Sequence, residues 1–173
     1  MSEVDFGMNC TLWTVRISVL LYAVAVYRVR VRPAVGQESP DIVYRWTWAG
    51  SWTLCIVHVL CAFHFIHRWS HHAALEHTAE MTERVVGIYW SGGLYINYIF
   101  LAVWGADAVA QFRSHRTSKL LHFVAAFMMF NATVVFGPVW WIAPAAILVG
   151  ILSFATYKRS HRFGDGHSNN RED

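Results

Sequence analysis

The residues in this chain whose types and spacing could do chemistry are histidines. Six of its ten fall within His58 to Glu80, in the run H-V-L-C-A-F-H-F-I-H-R-W-S-H-H-A-A-L-E-H-T-A-E. Read as one straight helix at about 100° per residue, His64, His67 and His71 fall in a sector of roughly 60°. Such a row presents imidazoles toward one ion or along one groove. Neutral imidazole suits Zn, Cu or Fe. The expected metal-ligating set is His64, His67 and His71, with His72, Glu76 and His77 as further ligands. In a straight helix His72, Glu76, Glu80 and Glu83 occupy the opposite face, so the carboxylates join the site only if the helix breaks between Ser70 and Ala74. The competing expectation is structural. These histidines then serve as interface residues bonded to neighbouring helices, headgroups or water, with His72–Glu76 an i,i+4 pair.

His67-Arg-Trp-Ser-His71-His72 has the form H-x-x-x-H-H and resembles one histidine box of the membrane di-iron desaturases and hydroxylases. That family carries several such boxes on the cytoplasmic side. This sequence has one, expected on the opposite side, so the family's activity is not carried over. A haem between helices needs two axial ligands at matching depth. His58 and His122 differ in expected depth, which makes haem a weaker reading than a transition metal. Cys10, Cys55 and Cys61 form no C-x-x-C pair, which argues against a thiolate zinc site.

The elements that position these residues are hydrophobic. The chain has 173 residues, 55% of them hydrophobic and only 14% charged, and the charges gather in short clusters between charge-poor stretches. Hydrocarbon excludes charge in that manner. The fold class expected is all-α: a polytopic integral membrane protein in the cell membrane, a bundle of five transmembrane helices with four as the alternative. The spans fall at about 12–27, 46–66, 85–110, 120–137 and 139–157, forming a single domain over 1–157, with 158–173 a disordered cytoplasmic tail. The 38 residues from Leu120 to Tyr157 would reach about 57 Å as one helix, roughly twice a hydrocarbon core, and Gly137-Pro138 is the expected turn. The N-terminal segment is acidic and lacks the basic region of a signal peptide, so the first apolar segment is expected to remain as a span.

Positive charge orients the bundle. Five spans with the N-terminus outside and the C-terminus in the cytoplasm place eleven of the fourteen basic residues on the cytoplasmic side and leave Arg68 and Arg84 on the other. Trp13, Trp69, Tyr89 and Trp90 then sit near the outer headgroups, while Tyr27, Tyr44, Trp46 and Trp48 sit near the inner ones. Within the spans, Arg16 is expected to snorkel outward, and Asp107 to pair with Arg113 or Lys119. Asn97 and Asn131 are expected to bridge helices, the lesser alternative being that with Thr133 they line a small polar cavity. Gly87-x-x-x-Ser91 reads as a close-packing patch at the outer end of span three, against span two.

No motif of a transporter, channel, protease or oxidoreductase is complete, and nothing in the basic residues points to nucleic acid, because they flank apolar runs. The expected function is that of a small accessory or structural membrane component. Its partners are the lipid bilayer and other membrane subunits. The alternatives are a transition-metal-binding membrane protein and a membrane redox or haem-binding subunit.

Overall fold

The structure is a computed structural model and describes residues 3–31, 41–113 and 118–131. Every regular element among them is helical: α1 (Glu3–Val31), α2 (Ile42–Cys61) continued by a π-helical turn (Ala62–Ile66), α3 (His71–Val86), α4 (Gly93–Gln111) and α5 (Lys119–Phe130). Three stretches are long and apolar enough to cross a membrane: Asp5–Val29, Ile42–Ile66 and Gly93–Gln111. α5 is apolar and 12 residues long within the described range. The remainder of the expected fourth span, the whole fifth, the turn at Gly137-Pro138 and the tail lie outside the described residues.

Local chemistry starts the helices. Asp41 caps α2 by accepting the Val43 N–H at 3.0 Å, and it also pairs with Arg28 of α1, clamping the two helices at their shared end. Ser118 caps α5 by accepting the Leu121 N–H at 3.1 Å.

α1 and α2 pack through small residues. The Ser18 hydroxyl donates to the Ser51 carbonyl at 2.8 Å and the Ser51 hydroxyl donates to the Ser18 carbonyl at 2.7 Å, with both serines fully buried. Lipid tails are as apolar as leucine, so between membrane helices it is such close approach and interhelical bonding that favour association. α4 lies against α2. The Trp52 indole N–H donates to the Leu101 carbonyl at 2.9 Å, and Gly105 leaves room for that ring. Trp48 and Trp104, both fully buried with ring centroids 5.1 Å apart, form the centre of the core with Tyr22, Tyr44 and Phe100.

Two expectations are corrected. The third helix long and apolar enough to cross a membrane begins at Gly93 rather than Val85, because Val85 and Val86 end α3 and Gly87 closes it in the left-handed region at φ 77°. Gly87 is therefore a helix C-cap and not part of a packing patch in a span. The straight-helix alignment of His64, His67 and His71 does not hold either, because the chain bends there, the other course open to a stretch without glycine or proline. The His67 N–H bonds back five residues to Ala62 and the Trp69 N–H six residues to Phe63, while Arg68 and Trp69 adopt φ of 48° and 62°. Ser70 then caps α3, its hydroxyl accepting the Ala73 N–H at 3.2 Å. The chain turns here without glycine or proline. Left-handed backbone at a non-glycine residue costs about 1–2 kcal/mol. The hydrogen bond from the Trp69 indole to His64 and the contact of its ring with Phe63 help offset that cost.

Candidate functional site

The break at His67–Ser70 folds α3 back over one end of the bundle, and a cavity of about 690 Å³ lies beneath it. All five helices contribute to its wall. α1 supplies Thr11 and Arg16, α2 supplies His58, the cap of the π-helical turn supplies His67, and α3 supplies His77, Thr78 and Thr82. α4 adds Asn97 and α5 adds Asn131. Between these polar groups the lining is apolar, with Leu12, Val59, Phe63, Met81, Leu94 and Met128 among its members.

Several polar groups in the wall are fixed. His58 Nδ1 lies 2.8 Å from the Thr11 carbonyl, so this nitrogen carries the proton and donates it across the α1–α2 contact. Arg16 is buried, and its guanidinium carbon stands 5.1 Å from the Trp13 ring centre, within range of a cation–π contact. It lines the cavity wall, with its head toward Trp13, one turn nearer the start of α1. Asn131 Nδ2 donates to the Phe127 carbonyl of its own helix at 2.7 Å. That bond lies within one helix and not across two, as had been expected of this amide; Asn97 and Asn131 both line the cavity, and Thr133 lies outside the described residues. On α3, Thr78 and Thr82 return their hydroxyls to the backbone four residues earlier, which leaves their methyl groups for the cavity side.

The expected metal ligands are distributed differently from a row. His64 Nδ1 accepts the Trp69 indole N–H at 3.1 Å. His71 lies against two tyrosines, its two nitrogens each 3.5 Å from a hydroxyl, of Tyr95 and of Tyr98. His72 Nδ1 stands 3.4 Å from Glu76 Oε2 on the exposed face of α3, the i,i+4 pair that the spacing implies. His67 and His77, ten positions apart in sequence, are brought together with ring centroids 5.3 Å apart. Burial and the nearby His77 lower the pKa of His67 below its ordinary 6.5, so this ring favours the neutral form. Among the described residues, no group of three or more His, Cys, Asp or Glu is arranged to hold a metal ion.

A second polar network sits at the opposite end of the bundle. The Trp48 indole N–H donates to Asp107 Oδ2 at 2.9 Å, and the Gln111 amide donates to the same oxygen at 3.3 Å. The Tyr44 hydroxyl lies 3.3 Å from His122 Nε2, and the Tyr22 hydroxyl donates to the His122 carbonyl at 3.1 Å. Asp107 thus bonds to an indole and an amide of the core, contacts that the sequence reading had not anticipated. The i,i+4 pairs Tyr44/Trp48 and Asp107/Gln111 were the available signal, because each puts two polar-capable groups on one face of a helix. His58 and His122 lie toward opposite ends of the bundle.

No protein-family model, no curated protein and no solved structure matches this chain.

Proposed function

We propose that this chain is a small, non-catalytic, multi-pass membrane component that holds an amphipathic small molecule in the cavity beneath α3. The observation that carries this reading is the cavity itself. Its 690 Å³ fall within the ~300–1,000 Å³ typical of ligand sites, and its wall is largely apolar with a few convergent polar groups. Arg16, His58, Asn97 and Asn131 suit a polar head, and the Leu, Val, Phe and Met side chains suit an acyl or isoprenoid body. α3 supports the same reading. It carries exposed His and Glu residues on one side, turns Ala74 and Ala79 inward, and ends in the exposed Val85 and Val86, with exposed Ile88, Tyr89 and Trp90 just beyond. These residues, with exposed Trp69, have the chemistry of a segment at headgroup level. In this reading the bundle has five spans, with α3 at the outer face and the C-terminus in the cytoplasm.

The probe is a diazirine-bearing palmitate analogue, crosslinked to detergent-purified protein and mapped by peptide mass spectrometry. Labelling is expected on cavity residues of α1 and α3, such as Leu12 and Met81, and is expected to vanish in Thr78→Phe, which fills the cavity from the cap. Labelling confined to outward-facing residues such as Leu20 and Val24, and unchanged in Thr78→Phe, would refute the proposal. Tags at the two termini that report from the same compartment would refute the five-span orientation.

A further inference from the structure

We infer that His67 and His77 form a two-imidazole site for a divalent late first-row metal ion such as Zn²⁺ or Cu²⁺, with the remaining coordination positions open to the cavity. The inference is independent of what occupies the cavity. It also differs from a row along one helix, since it joins the end of α2 to α3.

The geometry points there in three ways. Zn–N bonds are about 2.0–2.1 Å, and an imidazole centroid lies about 1.1 Å beyond its ligating nitrogen, so each centroid stands about 3.2 Å from a bound ion. Two rings whose centroids are 5.3 Å apart then subtend an angle of about 110° at that ion, the tetrahedral value. The rings are inclined at 56°, so they do not stack on one another. Neither ring has a hydrogen-bond partner among the described residues, in contrast to His58, His64 and His71, which are each engaged. Both also line the cavity, so water or an oxygen-bearing molecule can complete the coordination shell.

An ion held this way would pin α3 to the end of α2. Full-length protein in detergent is titrated with Zn²⁺ against a chromophoric chelator, for the parent and for His67→Gln, His77→Gln, His64→Gln and His71→Gln. Loss of affinity by tenfold or more in both of the first two, with less than a twofold change in the last two, supports the site. A smaller loss in either His67→Gln or His77→Gln overturns it. His77 is exposed, so His77→Gln tests the site even if the His67 variant misfolds. Hydrogen exchange gives a readout that other histidines do not move. Zn²⁺ should slow exchange of α3 amides in the parent and leave them unchanged in His77→Gln. Equal protection in both, or none in the parent, overturns the inference. Pulsed EPR with Cu²⁺ should count two imidazoles, falling to one in either variant.

Discussion

The contact between α2 and α4 allows a quantitative test at Gly105. A Cβ added there would lie 2.6 Å from Trp52 Cζ2, 2.8 Å from Cε2 and 3.0 Å from Nε1. For ordinary contact the indole must withdraw by about 0.8 Å, and that motion pulls its N–H away from the Leu101 carbonyl, now at 2.9 Å. Overpacking of this kind costs about 1–3 kcal/mol. Loss of one interhelical hydrogen bond in a membrane adds about 0.6 kcal/mol on average. Against this, alanine gains about 0.5–1 kcal/mol over glycine within a helix. Gly105→Ala should therefore destabilise the fold by roughly 1–3 kcal/mol, read by steric trapping or by SDS-induced unfolding in bicelles. The decisive arm is the background. Phe at position 52 lacks the indole atoms that the new methyl would strike, so Gly105→Ala in Trp52→Phe should be neutral or stabilising. Gly93→Ala, whose Cβ would meet only the Thr78 methyl at 3.4 Å, serves as the tolerated control. An equal cost for Gly105→Ala in both backgrounds would refute the assigned packing of α4 on α2.

Two further outcomes follow from the hydrogen bonds of the core. Asp107→Leu leaves the buried Trp48 N–H without its acceptor and should cost about 1–3 kcal/mol, with a shift in tryptophan emission, whereas Asp107→Asn keeps an acceptor and should cost less; equal costs would remove the indole bond from the account. Ser18→Ala and Ser51→Ala should each destabilise by about 0.6–1.7 kcal/mol, and a double-mutant cycle should show coupling, because the two hydroxyls bond reciprocally across one contact. Strict additivity of the two would contradict that pairing.

That the chain forms helices, three of them long and apolar enough to cross a membrane, could be read from its sequence because hydrocarbon acts on each segment separately. A run such as Trp46 to Ile66 excludes Asp, Glu, Lys and Arg wherever it packs, and composition records that exclusion. The polar positions Asn97 and Asn131 were likewise informative, since an amide in a span needs an internal partner or a polar wall. The break at His67–Ser70 was harder to read. Its sequence signal was Ser70 as an N-cap, but the backbone reverses through Arg68 and Trp69, residues that rarely take left-handed φ. That conformation is held by bonds of Trp69 to Phe63 and His64 that exist only once the turn has formed.

By itself, then, the amino-acid order determined where long apolar helices can form and that imidazoles crowd one short stretch, His58 to His77. Tertiary structure alone decided which imidazoles meet. His67 and His77 are about three turns apart along any continuous helix, too far to share an ion, and become neighbours only because the chain folds back on itself. The same holds for the cavity, whose wall draws on five helices. Periodicity reports which residues share one face of a helix, whereas the enclosed space depends on how the faces of different helices are set against each other.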